Sequence, residues 1–178
     1  MLERQRVISG PRLDLMVCPG PMLDAVLGGD LAGAGRSAGF AVPAEFAADQ
    51  WIGFRRRQVL ADPAWEPWSL RAMLLRGERR LVGYTSFHGP PGINSLDAPD
   101  AVEIGYTVFP ADRGRGFATE TARAMMDWAT REHGVRRFIS SIEPGNRPSI
   151  RVIEKLGFER LELILDGEAI FQLRVPPP

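Results

Sequence analysis

The order of elements predicts a mixed α/β sheet with helices on its faces. Three observations carry that expectation. Strand-like alternation recurs along the chain, in the order strand, helix-rich segment, three strands, helix, strand, helix, two strands. The strand at about 102–109 runs through Pro110 into a short Arg/Gly loop, which opens the longest helix. The last two strands follow a short capped helix, so the second half alternates helix with strand.

Taken in order, residues 12–17 alternate as a short strand. Residues 21–60 read as helical pieces broken by Gly28, Gly29, Gly33, Gly35 and Gly39. Pro43 followed by Ala44, Glu45 and Phe46 marks a helix start, and 45–60 reads as one helix. Pro63, Trp65, Pro67 and Trp68 make 61–68 a loop with large apolar groups. Residues 69–76 and 80–87 read as strands joined by a hairpin turn at Gly77, Glu78 and Arg79. Residues 89–100, rich in proline and glycine, form a loop.

Val102, Ile104, Tyr106 and Val108 then alternate with Glu103, Gly105, Thr107 and Phe109, the pattern of a strand. A helix from about 116 to 133 buries Ala118, Ala122, Met125 and Ala129, and Gly134 ends it. Residues 137–142 are a strand. Asn146 caps a short helix with Pro148 in its first turn, and Gly157 closes it. Residues 159–165 and 169–175 are the last strands, followed by a proline tail.

The chain has 178 residues, 22 basic and 22 acidic side chains and one cysteine, Cys18. Length and the lack of repeats indicate a single domain over 1–178. Balanced charge argues against a nucleic-acid surface, and Arg55-Arg56-Arg57 reads as a solvated helix face. One cysteine excludes a disulfide framework and a cysteine-based zinc site, and no metal is expected. No apolar run approaches the roughly 20 residues that span a bilayer. The start, Met1 to Arg6, lacks an apolar signal core, so a cytoplasmic protein is expected.

The Arg/Gly loop carries the chemistry. Gly114 and Gly116 have no Cβ, so a ligand can approach the backbone closely. The first amides of the following helix lack intrahelical partners and sit at the positive end of its dipole. Together they suit a phosphate. The glycine spacing does not fit a dinucleotide fold, and no Walker Gly-Lys-Ser/Thr occurs.

The block from Val102 to Phe158 resembles the GCN5-related N-acetyltransferase (GNAT) superfamily. Arg113, Gly114, Arg115, Gly116, Phe117 and Ala118 match its Arg/Gln-x-x-Gly-x-Gly/Ala pyrophosphate loop, between a central strand and a long helix. Asn146, Ser149 and the run Val152 to Phe158 resemble the family's later helix and its Gly-Phe ending. Arg12 to Leu15 is similar to the opening strand of the branch with the ribosomal-protein alanine acetyltransferases.

The resemblance implies a mostly antiparallel sheet splayed between the strands at 102–109 and 137–142. It implies acetyl-CoA as co-substrate and an amine as acceptor, on a small molecule or a protein N-terminus. The coenzyme core would span 101–158 and the acceptor side about 20–100. The pantetheine arm would pair near Val108 and meet the Asn146 side chain, and the pyrophosphate would rest on amides from Gly114 to Thr119, with Arg113 and Arg115 adding charge. Glu103 is the candidate general base, favoured if burial raises its pKa. Ser149 is the candidate acid toward the leaving thiolate, because Ile153 stands where many relatives carry a tyrosine. The resemblance allows a homodimer. It leaves two alternatives open: an acyl-CoA-binding sensor without catalysis, and transfer of a longer acyl group such as succinyl.

Tyr106 reads as core, and Glu120 as a carboxylate favouring the helix dipole. His88 ends a strand near the acceptor side. Trp51, Trp65 and Trp68 are either pocket or core aromatics.

Overall fold

A computed structural model describes residues 7–176; the segment Met1 to Arg6, read above for a leader, and the last two prolines lie outside them. The strands are β1 (Val7–Ser9), β2 (Leu13–Val17), β3 (Arg71–Leu75), β4 (Arg80–Phe87), β5 (Ala101–Val108), β6 (Arg137–Ile142), β7 (Glu159–Leu165) and β8 (Glu168–Arg174). They form one 8-stranded sheet in the order β1-β2-β3-β4-β5-β6-β8-β7. Every neighbouring pair is antiparallel except β5 and β6, which run parallel.

That parallel pair holds the sheet's defect. Its ladder covers only Ala101, Val102 and Glu103 against Arg137, Phe138 and Ile139. Beyond Glu103 the two strands part, while β5 stays paired with β4 as far as Val108. At the fork the Ser140 hydroxyl donates to the Ile104 carbonyl at 3.5 Å. The edge of β5 past the fork is therefore open, as the resemblance implies.

A register shift between Met73 and Leu74 twists β3 against β4. Next to it Gly83 lies so close to β5 that a Cβ there would stand 2.2 Å from the Thr107 carbonyl oxygen. No larger residue fits that crossing.

Helices cover both faces. On one lie α1 (Gly20–Leu27), α2 (Leu31–Ala38), α3 (Ala44–Ala47) and α4 (Trp51–Ala61). Met22, Leu23, Phe46 and Ile52 pack there on Ala72, Leu74, Leu81 and Phe109. On the other lie α5 (Phe117–His133) and α6 (Arg147–Lys155). Phe117, Met125, Ala129 and Ile153 there meet Leu15, Met73, Val102, Ile104 and Phe138. Gly134 ends α5 in the left-handed region at φ 70°, and its N–H reaches the Ala129 and Thr130 carbonyls. Asn146 caps α6 by accepting the Ser149 N–H.

Several expectations need correction. Residues 45–60 are two helices, because Asp49 breaks the run: its carboxylate accepts the Trp51 N–H at 2.7 Å and the Tyr84 hydroxyl. Gly33 and Gly35 do not break α2, which Asp30 starts by accepting the Gly33 N–H. Residues 63–68 form a 3₁₀ turn capped by Asp62 instead of an open loop. β1 carries no alternation long enough to announce it; it exists because β2 supplies its ladder. In the buried stripe of α5, Phe117 is buried and Ala118 only half-buried. Among the described residues no helix is long and apolar enough to cross a membrane.

Candidate active site

Two clefts meet at the open edge of β5. The first, of about 640 Å³, runs between the Arg/Gly loop and α6. Val108, Arg113, Gly114, Gly116, Phe117, Ala118, Thr119 and Asn146 all line it. Gly114 and Gly116 hold φ values of 75° and 80°, which turn the chain into α5 with its amides facing out. Among the described residues, none of the N–H groups from Gly114 to Thr119 meets a protein acceptor. Arg113, Arg151 and Lys155 add positive charge to the walls. The one carboxylate there, Asp112, is buried and taken up by Arg80 at 2.6 and 3.0 Å and by Arg115 at 2.8 Å. Outward-facing amides and basic walls give the cleft a chemistry that suits an anion.

Two arginines behave differently from each other. Arg113 Nε donates to the Val108 carbonyl at 3.0 Å, on the open edge of β5. Arg115 turns away from the cleft, toward Asp112 and over the Phe117 ring at 4.8 Å. Its own carbonyl accepts from Arg12 Nη1 at 3.0 Å. Arg12 also reaches Glu120 at 2.7 Å, and the Arg12 and Leu13 N–H groups donate to the same carboxylate. Glu120 thus ties the start of β2 to the first turn of α5.

Tyr106, Thr107, Asn146 and Ser149 line both clefts and mark their junction. Tyr106 packs its ring against the core yet donates its hydroxyl to the Ser149 carbonyl at 3.4 Å. Burial pushes its phenol up to about 12, so it stays protonated. The Ser149 hydroxyl also lies against the Tyr106 phenol, whose pKa it lowers against the effect of burial. Ile153 is fully buried.

The second cleft, of about 790 Å³, lies beneath the fork, walled by α4, the end of β4, β5, β6 and the 89–100 loop. Asp49, Glu143 and Glu168 bring carboxylates to it, and Arg55 and His88 the basic groups. Trp51 and Phe54 line it, whereas Trp68 sits in the core against Trp128 at 5.2 Å and Trp65 is not part of the wall. Arg55 is buried, with Nη1 donating to the His88 carbonyl at 2.6 Å and to Gln58 at 3.1 Å. Glu168 has its pKa raised, by burial first and then by Glu103.

Glu103 faces away from Val102 and Ile104, as alternation demands, and is 1% exposed. Burial alone would raise its pKa. His88, the Ser141 hydroxyl and the Ser95 N–H outweigh that and hold it at about 2. The condition that would favour Glu103 as a base, a raised value, is therefore not met: three donors crowd a carboxylate whose pKa burial alone would raise. Sequence reasoning missed Asp49, Arg55, Tyr84, Glu143 and Glu168, which come from separate elements and share no local pattern.

The sequence matches the family described as an acetyltransferase (GNAT) domain over residues 36–159. An uncharacterized N-acetyltransferase, YnaD, from Bacillus subtilis is 32% identical over 88 residues, 49% of this chain and 48% of its own length. This chain thus spans less than half of that curated relative. An acetyltransferase from Agrobacterium tumefaciens superposes with a TM-score of 0.64 at 20% identity, over 95% of this chain and 94% of that one. The ribosomal-protein-S5-alanine acetyltransferase of Vibrio fischeri does so with 0.61 at 15% identity, over 94% and 96%. At these identities the likeness is one of fold.

Proposed function

The chain belongs to the acetyltransferase (GNAT) family, and from that premise we propose that it is an acetyl-CoA-dependent N-acetyltransferase. The acetyl group passes directly to a primary amine, on a small molecule or a protein N-terminus, with donor and acceptor bound together. One observation carries the reading: a row of unpartnered amides, Gly114 to Thr119, beside the open edge of β5. The amides suit the pyrophosphate, and Arg113, Arg151 and Lys155 suit its charge and the further phosphate of the coenzyme. Val108 and Tyr106 offer backbone groups on the open edge to the pantetheine amides.

The thioester then lies at the junction of the two clefts. Catalysis rests on positioning and on polarisation of the thioester carbonyl by a strand amide. The Ser149 hydroxyl, beside the Tyr106 phenol at the junction, is placed to donate toward the departing sulfur. The acceptor enters by the larger cleft, where Asp49, Glu143 and Glu168 favour an ammonium.

Calorimetric titration with acetyl-CoA tests this, beside Gly116→Glu. The parent is expected to bind in the micromolar range. The variant is expected to lose binding, because bulk and negative charge enter the anion cradle. Absence of binding by the parent refutes the reading. Binding without turnover of any amine makes the protein a sensor of acyl-CoA instead.

A further inference from the structure

We infer that His88, held by Glu103, is the general base that takes the proton from the acceptor ammonium; this rests on the transferase reading above. Glu103 itself is badly placed to do so. Its Oε1 accepts the Ser141 hydroxyl at 2.5 Å and its Oε2 accepts the Ser95 N–H at 2.6 Å. It does not reach the wall of the larger cleft, whereas His88 does. The imidazole Nδ1 lies 3.5 Å from Glu103 Oε2, and the His88 N–H donates to the Glu103 carbonyl at 2.8 Å. Two contacts thus fix one histidine against one carboxylate across adjacent strands.

The orientation matters most. A carboxylate at Nδ1 demands the proton there, leaving the lone pair of the neutral ring on Nε2. Nε2 lies over Gly105, where a Cβ would come within 3.7 Å of it. Gly105 is the residue before Tyr106, so Nε2 sits in the cleft one residue from the junction. His88 is 41% exposed, open to an incoming amine, while Glu103 is buried behind it. A buried carboxylate facing Nδ1 and an exposed imidazole in the cleft make a base with its orienting partner.

The step balances as follows. Nε2 takes one proton from the ammonium. The freed lone pair forms the C–N bond to the acetyl carbon as the C–S bond breaks, and the electron pair leaves on sulfur. The second proton lost by the new amide nitrogen goes to the thiolate. The imidazolium, paired with Glu103, returns its proton to water. Glu103 remains a carboxylate throughout. The other charged groups in the cleft with the ring are Arg55 from α4, on the His88 carbonyl, and the carboxylates of Asp49, Glu143 and Glu168. Glu168 is the rival base.

The test has a spectroscopic and a kinetic arm. The chain has two histidines, so nitrogen-15 spectra of labelled protein resolve both, with His88→Gln for assignment. The neutral ring of His88 is expected protonated at Nδ1; a proton at Nε2 overturns the inference. Coenzyme release from acetyl-CoA is followed with phenethylamine, spermidine and an alanyl dipeptide as acceptors. His88→Gln is expected to lower kcat roughly 100-fold or more and to remove the acid limb of the pH profile, with acetyl-CoA affinity unchanged. Glu168→Gln should keep that limb. A limb retained in His88→Gln, or lost in Glu168→Gln, refutes the role of His88. Wild-type protein that acetylates none of these amines refutes the transferase reading for them, and this inference falls with it.

Discussion

Replacing Glu103 by Gln keeps the shape of the side chain and removes its charge. The carboxyl is held at about 2 against an ordinary value of 4.5, a gap of about 2.5 pH units. At about 1.4 kcal/mol per unit, the charged form stabilises the fold by roughly 3 kcal/mol. Because the folded value lies below the unfolded one, that contribution is complete above about pH 4.5 and is lost as pH falls toward 2. Gln can still accept from Ser95 and donate to Ser141, so no buried group is orphaned. Glu103→Gln is therefore expected to lose at most roughly 3 kcal/mol, the part that His88 supplies requiring a protonated ring, or at most about 6–12 °C in Tm for a chain of this size. Urea unfolding of both proteins from pH 7 to pH 3 measures it. Asp14, Asp24, Asp100 and Asp112, whose pKa values are also lowered, are common to both and cancel in the difference. The gap between the two proteins must shrink with acid. A gap that is constant with pH, or absent at pH 7, refutes the account of Glu103.

Two further outcomes follow from packing. Gly83→Ala is expected to cost roughly 1–3 kcal/mol or more, since its Cβ would stand 2.2 Å from the Thr107 oxygen. A lower urea midpoint with an unchanged slope would show it, and an unmoved midpoint would contradict that close approach. The Cys18 thiol is pushed by burial up to about 12. At pH 8 a thiol reagent should label native protein roughly a thousandfold more slowly than protein in urea, and equal rates would contradict the burial.

The later half of the chain was the more legible. The alternation of residues 102–109, the glycines at 114 and 116 and the Asn146 cap are local signals, and each stands where the residues placed it. The acceptor side was not. Asp49 splits a helix because Tyr84, from a distant strand, claims its carboxylate. The direction of the Glu103 shift depends on Ser95, Ser141 and His88, which periodicity cannot bring together. Arg113 and Arg115 look alike in sequence, yet only the first lines the cleft, because Asp112 and Phe117 capture the second.

Seen in the order of synthesis, the contact between Arg12 and Glu120 is a late clasp. The two residues are 108 positions apart. Arg12 emerges early and then waits, with its two neighbouring amides, until the first turn of α5 exists. Until that moment the loop that turns its amides outward has no anchor for the Arg115 carbonyl. Loop closure over that span is slow relative to hairpin formation. The loop of the cradle thus cannot be anchored before residue 120 has emerged, later than the β3–β4 hairpin, which needs only its own turn, and earlier than β6 to β8.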